Sequence, residues 1–232
     1  MVKIENLSVE YEGGRRALDG ISFGVAEGES VALLGANGAG KSTLLKALAG
    51  LAPICAGSAE ICGLKVERKN LRQIRSCIGF VFQNSDDQMF SLTVEEDVMF
   101  GLRNMGLDAQ TAAQTARKTM SDLGISHLAK RSPARLSEGE KKRSAIACVL
   151  AMRPKILLFD EPTASLDARS ARELCALLKS LPCAKIVATH DLNAAKNLCG
   201  KAAVLSRSRL VKFGDCAEIL ADEKLLFDCS LI

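Results

Sequence analysis

Gly35-Ala36-Asn37-Gly38-Ala39-Gly40-Lys41-Ser42-Thr43 fits the pattern G-x-x-x-x-G-K-[ST]. The apolar run Ser30-Val31-Ala32-Leu33-Leu34 precedes it and reads as a buried parallel strand. Thr43-Leu44-Leu45-Lys46-Ala47-Leu48-Ala49 follows and is rich in helix formers. Strand, glycine loop and helix form the setting in which this motif holds phosphate. Glycines at 35, 38 and 40 open backbone angles closed to other residues, so successive N–H groups turn inward. Those donors, with Ala36, Asn37 and Ala39 between them, join the positive end of the following helix in an anion cradle. Lys41 puts a point charge on the outer phosphates. The Ser42 hydroxyl is a hard oxygen ligand for Mg²⁺, and Thr43 completes the motif. The stretch implies a nucleoside triphosphate site; the bland alternative is a glycine-rich turn that happens to match.

The 232 residues suit one α/β domain, or a core with an inserted subdomain. A net charge of +4 without a basic tail or stripe reads as an ordinary solvated surface, not a nucleic-acid or anionic-lipid footprint. The nine cysteines are odd in number and none forms C-x-x-C. Several lie in apolar runs, as Cys148 does in Ala145–Leu150, so reduced and mostly buried thiols of a cytosolic protein are expected. Met1-Val2-Lys3-Ile4-Glu5 has no signal-peptide pattern, and no apolar run is long enough to span a bilayer. The chain is expected to meet a membrane only by docking on something already there.

Residues 2–11 alternate loosely and read as a strand, Glu12-Gly13-Gly14 as a turn, and 15–27 as a second strand or hairpin. After the glycine-loop helix, Gly50 is a plausible C-cap and Pro53 blocks continuation. Gly57–Gly63 reads as a short strand between glycines, Leu71–Ser76 as a short helix and Ile78–Phe82 as a buried strand. Helical patterns then cover Thr93–Arg103, Ala109–Leu123 and Glu138–Met152, with no convincing strand among residues 91–152. Strand signals resume at Lys155–Phe159, Lys185–Thr189 and Ala202–Leu205, with a helix over 168–180 between the first two. Such βαβ units predict a mostly parallel sheet. The expected fold class is α/β: a mostly parallel core sheet, an N-terminal antiparallel β subdomain and an inserted α-helical subdomain. Residues 1–87 and 154–232 would form the core and 88–153 the helical part of one domain, the chain ending soon after the last core strand.

Chemistry-bearing residues collect where strands end. Ile156-Leu157-Leu158-Phe159-Asp160-Glu161 is an apolar strand closing in two carboxylates, and ligands of open α/β sheets gather at such carboxyl ends. Asp160 is expected to hold Mg²⁺. Adjacent side chains on a strand point to opposite faces, which leaves Glu161 to polarise the water that attacks a γ-phosphate. Gln83, delivered by the strand before it, suits Mg²⁺ ligation or water orientation, or is simply a polar strand terminus. Thr189-His190-Asp191 closes another apolar strand; His190 is either a phosphate and water contact or structural. Tyr11 either stacks on a purine or is a half-buried strand tyrosine. Ser137 and Glu140 form a capping box in Leu136-Ser137-Glu138-Gly139-Glu140. The same helix start, with Ser137 and Gly139, is a second phosphate site that a partner subunit would have to present. Ala164–Asp167 follows the two acids and lies close enough in sequence to line the same region.

Together these motifs resemble the ATP-binding subunits of ABC transporters, over nearly the whole chain and in the family's order. The resemblance makes Tyr11 the adenine-stacking aromatic, Gly35–Thr43 Walker A, Gln83 the Q-loop glutamine and Leu136–Glu140 the signature. It makes Ile156–Glu161 Walker B with its catalytic glutamate, Ser165-Leu166-Asp167 the D-loop and His190 the switch histidine. It implies ATP and Mg²⁺ as cofactors, hydrolysis as the activity, and a head-to-tail dimer with a second ATPase subunit, the same chain or a different one. One departure stands out: the signature reads Leu-Ser-Glu-Gly-Glu where the family has L-S-G-G-Q. Glu138 brings a negative charge toward a tetra-anion, with Lys141, Lys142 and Arg143 at hand to neutralise it. A weakened ATP site is the expectation, with Glu138→Gly raising turnover. Val81–Phe90 with Thr93–Val98 is similar to a stretch of energy-coupling-factor and cobalt or nickel importers. There the region 83–100 would meet a transmembrane subunit at the cytoplasmic face of the membrane; otherwise Asp86-Asp87-Gln88 is a surface turn. Importers of that group take transition-metal ions or vitamins such as biotin. The remaining readings are another type of ABC transporter or a non-transport ABC ATPase. A guanine-reading N-K-x-D, which a GTPase would carry, is absent from the sequence.

Overall fold

In the computed structural model, which describes residues 1–232, β1 (Val2–Tyr11) and β2 (Arg15–Val25) pair as an antiparallel hairpin around the glycine turn. β3 (Ser30–Leu34) runs into the glycine loop and α1 (Lys41–Leu48), so Lys41 and Ser42 open the helix. β4 (Ile54–Ile61) pairs with the other edge of β1, and β5 (Leu64–Lys65) completes a four-stranded antiparallel sheet of order β2-β1-β4-β5. The strand expected between Gly57 and Gly63 therefore begins and ends earlier. Gly57 lies inside it with φ +73, facing a bulge at Asn6, where a Cβ would sit 2.1 Å from the Asn6 carbonyl oxygen. Glycine is read as a boundary from sequence, but here it admits a close backbone approach within a strand.

α2 (Leu71–Cys77) leads into β6 (Ile78–Val81). Then come α3 (Val94–Asn104), α4 (Ala109–Asp122) and α5 (Glu138–Leu150). Thr93 with Glu96, Asp108, and Ser137 with Glu140 cap their starts. These helices enclose their own core, including Val94, Val98, Leu102, Ala116, Met120 and Ala145, with no strand among them. Buried Glu95 of α3 accepts hydrogen bonds from Arg117 Nε at 2.7 Å and Lys130 Nζ at 2.5 Å. Those two cations, Lys130 first, hold its carboxyl below the usual range despite burial.

β7 (Ile156–Asp160), α6 (Ala168–Ser180), β8 (Ala184–Thr189), α7 (Leu192–Leu198) and β9 (Lys201–Ser206) follow. The second sheet has the order β10-β9-β3-β8-β7-β6, parallel throughout except at β10 (Arg209–Asp215). Its strands bury both faces: Val31, Leu33, Leu158 and Ile186 meet α1 and the antiparallel sheet, while Ala32, Leu34, Phe159 and Val187 meet α6 and α7. That two-sided burial is why these strands are continuous apolar runs. The sheet extends beyond the last strand expected from sequence, through β10, α8 (Cys216–Ala221) and α9 (Glu223–Asp228). β10 is an edge strand with no fully buried residue, and so lacks the apolar run that marks the others. All nine cysteines are free and five are buried; Cys55 is exposed. Burial pushes the Cys199 thiol up to about 12, which leaves it unreactive. No helix is long and apolar enough to cross a membrane.

Candidate active site

The carboxyl ends of β3, β7 and β8 deliver the loops that build the site, as an open parallel sheet requires. Two glycines of the first loop have no substitute. A Cβ on Gly35 would lie 2.6 Å from the Leu205 carbonyl oxygen. Gly40 has φ +107, and a Cβ there would lie 2.6 Å from Leu18 and 2.7 Å from the Ala17 oxygen. Within this loop the buried Lys41 Nζ donates to the carbonyls of Gly35 at 2.6 Å and Ala36 at 3.3 Å. It also lies 3.6 Å from Glu161 Oε1. The lysine charge is thus held over the loop, with the buried Glu161 as its one carboxylate partner.

Ser42 Oγ donates to Asp160 Oδ1 at 2.9 Å. Burial raises the Asp160 carboxyl above its usual range, the neighbouring Glu161 charge adds to that, and the Ser42 hydroxyl opposes it. A hydroxyl and a buried carboxylate side by side are a hard, all-oxygen donor set that fits Mg²⁺. A divalent cation here would relieve the buried charge.

Glu161 corrects the strand-alternation argument. β7 ends at Asp160, and Glu161 has already left it with φ +48, its N–H bonded to the Ala188 carbonyl at 2.8 Å. The two acids separate because the backbone turns, not because a strand alternates, and both still face the same loop. Glu161 Oε1 lies 2.9 Å from His190 Nδ1, so β7 and β8 bring the acid and the histidine into contact. Tyr11 Oη sits 3.4 Å from Thr43 Oγ1, and the tyrosine remains 40% exposed, which leaves its ring free to stack. A cavity of about 450 Å³ joins these groups: Tyr11, Ala36, Asn37, Gly38, Gly40, Lys41, Ser42, Thr43, Gln83, Glu161 and His190 line it. Ala39 is buried just behind. Arg15, Arg16, Ala17 and Ser208 also line the cavity and were not singled out from sequence. Two adjacent arginines just after the Tyr11 turn were the available signal.

Ser137 and Gly139 are not among the lining residues. Ser137 caps α5: Glu140 Oε2 accepts from the Ser137 N–H at 2.8 Å and from its hydroxyl at 2.9 Å. Asp167 caps α6 instead of reaching the cavity, accepting from the N–H groups of Arg169 and Ser170. Of the three cations expected to neutralise Glu138, only Lys141 pairs with it, at 3.4 Å. Arg143 pairs with Glu173. Lys142 is buried and donates to the backbone carbonyls of Gln83 at 2.7 Å and Phe82 at 3.3 Å, and burial lowers its ammonium below the usual lysine range. Gln88 adds a second tie, accepting from the Phe82 N–H at 3.3 Å and donating to the Ala145 carbonyl of α5 at 2.8 Å.

Comparison with known proteins agrees with this geometry. Residues 18–164 match the family described as ABC transporter. The chain is 42% identical over 228 residues to an energy-coupling factor transporter ATP-binding protein, EcfA, of Carboxydothermus hydrogenoformans, covering 97% of this chain and 84% of that one. Among solved structures it is similar to cbiO1 of Clostridium perfringens, part of the ABC transporter complex cbiONQ. The TM-score is 0.86 at 36% identity, covering 99% of this chain and 94% of that one. It is also similar to the ATP-binding cassette MJ0796 in a dimeric post-hydrolysis state bound to ADP and Pi, with TM-score 0.85 and 29% identity, covering 93% and 99%.

Proposed function

Because this chain belongs to the ABC transporter family as an ATP-binding subunit, we propose that it energises import of a small solute through a transmembrane partner. The reaction is hydrolysis of ATP to ADP and phosphate. One observation carries the division of labour: Lys41, Ser42, Glu161 and His190 converge on one cavity, with Asp160 bonded to Ser42 beside it, while Ser137 and Gly139 stay outside. The cavity is half of a site. A second ATPase subunit, this chain or a relative, supplies the other half from its own α5.

In that reading Tyr11 stacks on the base, and the Gly35–Thr43 backbone with Lys41 holds the phosphates. Ser42 and Asp160, with Gln83, would hold Mg²⁺, which would supply charge neutralisation at the phosphates. Lys41 exchanges its carboxylate partner for the outer phosphate. That frees Glu161 to accept a proton from the attacking water, with His190 holding the acid in place through Nδ1. ATP closes the dimer and hydrolysis reopens it; Gln83 passes the state to the membrane subunit.

The membrane subunit docks on residues 83–100 at the cytoplasmic face. Exposed Phe90, Leu92 and Phe100 support this, with Phe90 and Phe100 packed edge to face at 4.8 Å in the stretch that also carries the acids Asp86 and Asp87. The solute is a cobalt or nickel ion, or a vitamin such as biotin, as the resemblance of Val81–Phe90 with Thr93–Val98 to importers of that group implies. Copurification of the tagged chain from its native membranes tests the proposal. A transmembrane subunit with a small substrate-binding membrane protein is expected; soluble partners alone would refute transport.

A further inference from the structure

Lys141 joins two places that the function keeps apart. Its Nζ lies 2.9 Å from Asp86 Oδ1 and 3.4 Å from Glu138 Oε1. Asp86 sits three residues after Gln83, in the segment offered to the membrane subunit. Glu138 is the acid that stands in place of glycine at the start of α5. Lys141 is itself only 13% exposed, whereas both acids are more than half exposed, so the cation is enclosed and the carboxylates are open to partners. Lys142 and Gln88 pin the backbone around Gln83 to α5, which keeps Asp86 and Lys141 in reach of one another.

We propose that Lys141 is a shared counter-ion whose division between Asp86 and Glu138 sets how readily the signature helix closes on ATP. One ammonium cannot fully compensate two carboxylates. While Asp86 holds it at the shorter distance, Glu138 keeps most of its negative charge, and that charge opposes the phosphates of a facing ATP. A cationic group on the docked membrane subunit that engages Asp86 releases Lys141 to Glu138. The helix start then presents a neutralised side chain beside its N–H donors. Docking at residues 83–100 is thereby felt at a phosphate site at the start of α5, through one side chain. Lys141 is a positioning residue here, acting through Glu138. This rests on the reading that α5 completes a second subunit's ATP site.

The test uses the full chain carrying Glu161→Gln to block turnover, with ATP-dependent self-association followed by sedimentation at low ionic strength. Exposed ion pairs of this kind shift equilibria by roughly 1.5- to 5-fold, which sets the scale expected. Asp86→Asn lowers the ATP concentration for half-maximal association by that factor, because Lys141 turns wholly to Glu138. Lys141→Met raises it, and Lys141→Arg restores the starting value. With Glu138→Gln also present, Asp86→Asn has no effect. If the Asp86–Lys141 pair is only a brace, Asp86→Asn and Lys141→Met shift the midpoint in the same direction, which overturns the inference. Persistence of the Asp86→Asn effect without the Glu138 charge overturns it too. Failure of the Glu161→Gln chain to associate with ATP at all would sink the underlying composite site, and the inference with it.

Discussion

Glu161→Gln is the substitution that separates catalysis from binding most cleanly. The glutamine keeps an oxygen where Glu161 Oε1 accepts from His190 Nδ1 at 2.9 Å, so the local hydrogen bond and backbone survive. Proton acceptance from water is lost, and a positioned base is worth about 10²–10⁴ in rate, so the turnover number should fall by that factor. Binding should move the other way. Lys41 Nζ sits 3.6 Å from Glu161 Oε1. At an effective dielectric of about 20 that pair has a gross attraction of about 5 kcal/mol. Desolvation and the two carbonyl bonds that Lys41 retains offset most of it, leaving about 1 kcal/mol that incoming phosphate must overcome. Removing the carboxylate should tighten ATP roughly five-fold, by the RT ln K relation. Phosphate release at saturating ATP measures the first effect and calorimetric titration the second. A turnover number within about ten-fold of the unaltered chain would refute the base assignment. Weaker ATP binding would refute the competition between Glu161 and phosphate for Lys41.

Asp160→Asn should raise the melting temperature of the nucleotide-free chain while abolishing Mg²⁺-dependent hydrolysis. The sign follows from its raised pKa: the folded state binds the proton more tightly, so the charged carboxylate destabilises at neutral pH and the penalty lifts as pH falls through the folded value. A lower melting temperature would show that the Ser42 hydrogen bond outweighs burial. Tyr11→Ala should weaken ATP by the loss of about 1–3 kcal/mol of stacking, and Tyr11→Phe by little, both read by calorimetry; equal losses would implicate the hydroxyl instead. Glu95→Gln should destabilise the helical subdomain at neutral pH in urea titrations. Because its cations hold the Glu95 pKa below 4.5, this contribution is complete above that value and is lost as pH falls through the lower folded pKa, so the two chains should converge in acid.

Much of this protein was readable from short, local patterns. The glycine loop between an apolar strand and a helix, the helical stretch over 91–152 and the helix over 168–180 each announce themselves by periodicity and caps, because one residue's neighbours in sequence are there its neighbours in space. Edge strand β10 and the short helices α7, α8 and α9 escaped, since their burial is partial or their runs too brief to show a period.

Residue types at strand ends likewise named Lys41, Ser42, Asp160, Glu161 and His190 as candidates without saying which would touch. Their contacts span up to 120 positions of chain, from Lys41 to Glu161, and only the order β9-β3-β8-β7 of the folded sheet brings them together. The left-handed turn at Glu161, the burial of Lys142 under Gln83 and the sharing of Lys141 between Asp86 and Glu138 are likewise invisible in one dimension. Sequence determined the chemistry available at each strand end, because residue type sets charge and hydrogen-bonding capacity. Tertiary structure decided which charges meet, because electrostatic and hydrogen-bond energies depend on separations of a few ångströms that are set by how distant strands pair.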